Sequence, residues 1–222
     1  MRAVGHFQNL PIDAPESLLD LEVPMPVPGP LDLLVEIGAV AVNPVDAKVR
    51  ASRPSADDQT PVILGWDAVG IVHSIGAQVS GFAPGDRVWY AGDVTRPGSN
   101  AQFQAVDHRV VALAPQSLGD AEAAALPLTA ITAWELLFER LQVQAGPERP
   151  VSLLITGAAG GVGSILVQLA RSLPHLTVIA TASRPESAAW LRELGAHHVI
   201  DHGQPLAAQI AALGVAPLRY VS

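Results

Sequence analysis

Val151-Ser152-Leu153-Leu154-Ile155-Thr156-Gly157-Ala158-Ala159-Gly160-Gly161-Val162-Gly163 decides the fold. An apolar run of strand length, Val151 to Thr156, meets a glycine-rich turn, and the turn opens a helix predicted from Gly161 to Leu173 with an apolar stripe. Working outward toward the C-terminus, the text predicts a strand at Leu176–Thr181, a helix at Pro185–Leu194, a strand at His198–Ile200, a helix around Pro205–Leu213 and a strand starting near Leu218. Strands that alternate with helices build a parallel sheet covered on both faces. Upstream, Gly146-Pro147-Glu148-Arg149-Pro150 reads as a loop, and Gly119–Leu141 as two helices broken around Pro127.

The first half of the chain is written differently. Short β-rich runs such as Leu33-Leu34-Val35-Glu36-Ile37 and Gly70-Ile71-Val72-His73-Ser74-Ile75 are separated by Pro, Gly and Asp, the spacing of a small barrel-like or sandwich-like β domain. Pro24-Met25-Pro26-Val27-Pro28-Gly29-Pro30 lacks the backbone donors a central strand needs and reads as a surface loop. Gly81 to Val88 has the punctuation of a turn leading into a strand, and Phe103–Val111 reads as another strand with a turn at Asp107-His108. The character changes near Leu118, which divides the chain into a β domain at 1–118 and a strand–helix domain at 119–222.

Half of the residues are hydrophobic and 15% are charged, the balance of a folded chain. A net charge of −8 without a dense Lys/Arg run gives no attraction to a phosphate backbone, so nucleic acid is not expected as a partner. The absence of cysteine removes disulfides, thiolate metal sites and a cysteine nucleophile. No signal-peptide pattern and no apolar stretch of membrane-spanning length is found, so the expectation is a cytoplasmic protein with no membrane partner.

Against the dinucleotide fingerprint G-x-G-x-x-G, Ala158 stands at the first glycine, with Gly157 beside it, and Gly160 and Gly163 stand at the second and third. A glycine at 160 clears space for a pyrophosphate, the helix start offers free N–H groups, and a glycine at 163 lets helix and strand approach. Gly157, Ala159, Gly160, Gly161, Val162 and Gly163 are therefore candidate cofactor-binding residues. A site that prefers NAD ends its second strand in Asp or Glu, whose carboxylate binds the ribose hydroxyls. Here the strand ends Thr181-Ala182-Ser183-Arg184, and a hydroxyl with a guanidinium suits a 2′-phosphate, so NADPH is the expected cofactor, with Ser183 and Arg184 as contacts.

With Asn43-Pro44-Val45-Asp46, Gly65-Trp66-Asp67-Ala68-Val69-Gly70, Gly85-Asp86-Arg87-Val88 and Ala159-Gly160-Gly161-Val162-Gly163 in that order, the chain resembles the medium-chain dehydrogenase/reductase superfamily, in its quinone-oxidoreductase and zinc-type alcohol dehydrogenase-like branch. The resemblance implies an α/β chain, with an N-terminal GroES-like β domain plus an incomplete Rossmann doubly wound parallel sheet, and an active site in the cleft between them. It also implies that family members run on past Ser222, that the missing part completes the sheet, and that the full-length protein is a homodimer.

Zinc-dependent members of the superfamily carry a cysteine where this chain has Asn43 and a histidine where it has Trp66. An amide is a poor zinc ligand and an indole only donates hydrogen bonds, so no metal site is expected. Without a Lewis acid, hydride delivery suits electron-poor acceptors, and the expected substrate is a small-molecule quinone or α,β-unsaturated carbonyl (an enone). By resemblance Asn43 lies near nicotinamide and substrate, where its amide could donate to the developing oxyanion. Asp46 orients that loop or takes part in catalysis, and Tyr90 donates a proton or lines the cleft. Thr132 matches a position that contacts the nicotinamide end, against the plain alternative of a helix threonine bonding its own backbone. Ser187 and His202 match the region of the adenosine phosphate. The rival expectations are a non-catalytic NADP-binding adaptor and, disfavoured by the ligand positions, a zinc alcohol dehydrogenase.

Overall fold

A strand whose buried residues fall at every second position buries one face only, and the strands at Arg87–Ala91 and Phe103–Asp107 in the N-terminal half show that pattern. The computed structural model describes residues 1–57, 59–144 and 149–222. It contains β1 (Arg2–His6), β2 (Leu19–Glu22), β3 (Asp32–Ala41), α1 (Pro44–Ser52), β4 (Val62–Ile63), β5 (Asp67–Ile75), β6 (Arg87–Ala91), β7 (Phe103–Asp107), β8 (Val111–Leu113), α2 (Asp120–Ala124) and α3 (Pro127–Trp134). The antiparallel sheet β7-β3-β5-β6-β8 buries Leu33, Val35, Ala68, Val72, Val88, Tyr90 and Val106 together, and a second sheet runs β2-β1-β4. The stretch from Pro24 to Gly29 carries neither strand nor helix, as its prolines require. The expected turn at Asp107-His108 is a 3₁₀ turn at His108–Val110, capped by the Asp107 side chain, which accepts the Arg109 N–H.

Two packing units emerge, Met1–Leu128 and Thr129–Ser222. Although the sequence changes character near Leu118, α2 stays with the first unit, because Ala123 and Ala124 pack with Val69 and Asp120 pairs with Arg87 at 2.7 Å. Pro127 opens α3, where its missing N–H is no loss. The helical path then widens, and Glu135–Arg140 is π-helical, with the Leu141 N–H reaching the Leu136 carbonyl at 2.9 Å.

The second unit continues with β9 (Val151–Ile155), α4 (Gly161–Arg171), β10 (Leu176–Thr181), α5 (Pro185–Glu193), β11 (His198–Ile200), α6 (Leu206–Ala212) and β12 (Leu218–Val221). Its four strands are all parallel, in the order β11-β10-β9-β12. β9 and β10 are buried almost throughout because both faces of the sheet are covered. Leu166, Val167, Ala170 and Leu191 of α4 and α5 pack on Leu153, Ile155, Val178 and Ala180, while Leu206 and Ile210 of α6 pack on Leu154, Ile179 and Ile200. This is the doubly wound parallel sheet the alternation predicts. Observed ends differ from the expected ones by a residue or two, within the ordinary fraying of helix and strand termini. Of the loop expected at Gly146–Pro150, residues 146–148 lie outside the described residues.

Candidate functional site

The order of the four strands puts the first of them, β9, between β10 and β12, so the chain leaves β9 at the point where the sheet reverses direction of growth. Gly157 sits there at φ +57°, a left-handed conformation that L side chains disfavour, and this supplies the turn that a glycine at position 158 would otherwise make. Ala158 is instead fully buried. Gly160 then caps α4 in extended geometry, and Ser164 is the residue whose N–H bonds back to the Gly160 carbonyl, at 2.8 Å. The N–H groups of Gly161, Val162 and Gly163 are left without helical acceptors, as at any helix start. A Cβ on Gly163 would lie 2.5 Å from the Ala158 carbonyl oxygen, so only glycine lets α4 begin this close to the turn. These three residues could hold an anion through their backbone; side chains take no part in it.

An open pocket of 420 Å³ faces this helix start, lined by Gly157, Ala159, Gly160, Thr181, Ala182, Ser183, Arg184, Ser187 and His202. Ser183 and Arg184 follow β10, Arg184 caps α5, Ser187 sits in the first turn of α5, and His202 is on the turn after β11. The structure thus brings together the six expected pocket residues Gly157, Ala159, Ser183, Arg184, Ser187 and His202 around Gly160. Arg184 is exposed and makes no ion pair among the described residues, and no carboxylate lines the pocket. The Asp201 side chain accepts the Gly203 N–H at 2.8 Å and shapes the turn that carries His202. The Trp190 indole donates to Ser164 Oγ at 3.0 Å, tying α5 to the first turns of α4. Sequence reasoning passed over Thr181, whose buried hydroxyl has no partner among the described residues although its residue lines the pocket. A threonine as the last residue of a strand whose preceding three residues, Val178 to Ala180, are apolar is the available signal.

In the first unit, Asn43 precedes α1, and its backbone N–H donates to Asp46 Oδ2 at 2.7 Å. That bond makes Asp46 the brace of the helix start, and the residue is 6% exposed. The Asn43 side chain turns to the opposite neighbour: Nδ2 donates to Asp67 Oδ2 at 2.7 Å and, at 3.5 Å, to the Ala41 carbonyl. Asp67 is fully buried, and its Oδ1 accepts the Leu128 N–H at 2.8 Å. Burial pushes the Asp67 carboxyl above the usual carboxylate range; the bonds from Asn43 and Leu128 pull it down, and nearby Asp46 pushes it up. The short bond of the Asn43 amide therefore goes to Asp67, a partner that the expected donation to a substrate oxygen does not include. Asp67 itself was missed; a single carboxylate between Trp66 and Ala68 in a buried run is the mark it leaves in the sequence.

Tyr90 is 2% exposed within the β-sheet core, and its hydroxyl donates to Gln104 Oε1 at 2.9 Å. Burial raises its phenol far above the ordinary value. This placement corrects the expectation of a proton donor or cleft-lining group: alternation along β6 turns Tyr90 inward. Thr132 lies on the exposed side of α3. At the position of a zinc-ligating histidine, Trp66 is 1% exposed and its indole donates to the Asp93 carbonyl at 3.0 Å. Among the described residues no group of three or more His, Cys, Asp or Glu side chains is placed to hold a metal ion.

Residues 29–116 match the alcohol dehydrogenase GroES-like domain family and residues 161–219 the zinc-binding dehydrogenase family. The chain is 39% identical, over its whole length, to a zinc-type alcohol dehydrogenase-like protein of Staphylococcus aureus, of which it covers 65%. A solved structure from Rhizobium etli, described as a zinc-dependent alcohol dehydrogenase protein, superposes with a TM-score of 0.92 at 53% identity, over 100% of this chain and 64% of that one. The Escherichia coli quinone oxidoreductase complexed with NADPH superposes with a TM-score of 0.75 at 26% identity, over 96% of this chain and 62% of that one. The chain thus spans 62–65% of the length of these relatives, less than two thirds. Two family matches in the expected order, on a β unit followed by a doubly wound unit with a glycine-lined helix start, place the chain in the medium-chain dehydrogenase/reductase superfamily.

Proposed function

We propose that the protein is an NADPH-dependent oxidoreductase that reduces a quinone or an α,β-unsaturated carbonyl without catalytic zinc. The observation that carries this reading is the pocket beside α4, where Ser183 and the unpaired Arg184 stand in place of a carboxylate. A carboxylate there would repel a 2′-phosphate, whereas a guanidinium binds it with charge-assisted hydrogen bonds. The residues present fit the cofactor: Gly160 leaves the approach to the helix start open, Gly161 to Gly163 present their N–H groups, and Thr181 holds an unused hydroxyl at the pocket wall. When bound, the reduced nicotinamide supplies a hydride equivalent.

The donor set near Asn43 does not fit a catalytic zinc, so no step is assigned to a metal. The Asn43 amide offers a metal only a neutral carbonyl oxygen, a poor ligand for zinc, and the Trp66 nitrogen carries a proton and is bonded to a carbonyl. Substrates polarised by their own conjugation need the least help from the protein, and this favours quinones and enones. Asn43 and Thr132 are proposed to orient the reacting ends, with Asp46 bracing the Asn43 loop. The test is NADPH oxidation by the full-length protein on addition of 9,10-phenanthrenequinone. Turnover with NADPH supports the reading; tight NADPH binding with no turnover on any quinone or enone supports an adaptor role in its place.

A further inference from the structure

Asp67 is a carboxylate with no access to water, and nothing above gives it a task. Burying a carboxyl group is costly and hydrogen bonds only partly offset the cost, so one in this place must be held by specific donors. Its two oxygens are divided between two of them: Oδ2 takes the Asn43 amide and Oδ1 takes the Leu128 N–H. Asn43 has its backbone N–H on Asp46, so loop and side chain are fixed by two different carboxylates. At 2.7 Å the bond to a carboxyl oxygen is short, and it sets which way the amide faces: nitrogen toward Asp67.

We propose that Asp67 is the positioning residue for Asn43, setting the direction in which that amide is presented and anchoring it to the backbone of Leu128. The proposal rests on Asn43 taking part in the reaction described above. Its geometry can be tested apart from that reaction. An isosteric amide at position 67 has one acceptor where two are needed, so Asp67→Asn must either face an N–H with an N–H or turn the Asn43 amide over.

In wild-type protein, the Asn43 side-chain NH₂ protons, assigned by their loss in Asn43→Ala, should exchange with solvent at least tenfold more slowly than those of an exposed amide. Exchange at the free-amide rate overturns the proposal without any variant of Asp67. In Asp67→Asn the slow exchange should be lost, while the dissociation constant for NADPH at the pocket of the second unit stays within about twofold. With the full-length protein kcat should fall by about 10- to 100-fold. Asn43→Ala combined with Asp67→Asn should lose no more kcat than Asn43→Ala alone, since one residue acts through the other. Multiplying losses would make Asp67 an independent structural staple and overturn the proposal. Where Asp67→Asn does not fold, Asp67→Glu keeps both acceptors and moves them by one methylene, and kcat should still fall severalfold; unchanged kcat overturns it. If the protein turns over no quinone or enone at all, the functional reading fails and amide exchange alone decides the role of Asp67.

Discussion

Gly163→Ala is the smallest change that challenges the account of the helix start. A Cβ at this position lies 2.5, 2.6 and 2.7 Å from O, Cα and C of Ala158. Carbon contacts are comfortable at about 3.5–4.0 Å, and all three neighbours are backbone atoms that no rotamer change can move aside. In a free helix the same substitution would be favourable by about 1 kcal/mol. Overpacking a methyl group against fixed atoms opposes it by about 1–3 kcal/mol. The balance predicts a loss of up to about 2 kcal/mol, roughly a thirtyfold drop in the folded-to-unfolded ratio. It also predicts weaker NADPH binding, because α4 relieves the clash by moving its first turn away from the glycine turn. The assay is urea unfolding of the second unit with NADPH titration of the same samples. Gly157→Ala serves as the control: its Cβ would meet nothing within 4 Å, so it carries only the left-handed backbone penalty of about 1 kcal/mol at φ +57°. A Gly163→Ala protein as stable as wild type, with unchanged NADPH affinity, would refute the packing argument.

Two further outcomes follow from the first unit. Asp32 accepts both Arg96 Nη groups, at 2.9 and 2.8 Å, and the Gly29 N–H at 2.9 Å, and the Arg96 bond holds its carboxyl below the usual range. A depressed carboxyl stabilises the fold above its ordinary pKa and loses that contribution as pH falls through the folded value; Asp32→Asn should destabilise by about 1–3 kcal/mol at neutral pH, with the difference from wild type shrinking in acid. Tyr90→Phe should lower stability by about 1 kcal/mol through loss of the Gln104 bond and leave quinone turnover by the full-length protein unchanged; a hundredfold loss of kcat at unchanged stability would restore Tyr90 as a proton donor.

The second unit was the more legible part of the sequence. Strands such as Leu176–Thr181, buried on both faces, are mostly apolar without alternation, as in Val178-Ile179-Ala180, and a glycine turn followed by an apolar stripe has few other meanings. The first unit gives a weaker signal because alternation tells which residues share a face and leaves open which face is inward. For that reason Tyr90 stays, in the sequence, between donating a proton and lining the cleft, whereas it packs in the core. The π-helical turn at Glu135–Arg140 has no mark in composition, since one wider turn leaves the spacing of Leu136, Leu137 and Phe138 within a helical pattern. Around Asn43 the motif was readable and its bonding was not. The partner Asp67 lies 24 residues away, on β5, and antiparallel pairing of β3 with β5, with Ala41 opposite Asp67, is what brings the two together. The unused hydroxyl of Thr181 became visible only once the neighbouring loops had formed a pocket around it.

The central claim is that a dinucleotide bearing a 2′-phosphate is held beside α4 by Ser183 and Arg184. Calorimetric dissociation constants for NADPH and NADH, on wild type and on Arg184→Ala, measure it directly. The account predicts that wild type prefers NADPH, and that Arg184→Ala weakens NADPH by about tenfold or more, a charge-assisted bond being worth about 1.5–3 kcal/mol, while NADH changes by less than about twofold. Equal affinities for the two cofactors in wild type, or equal losses in the variant, would contradict it.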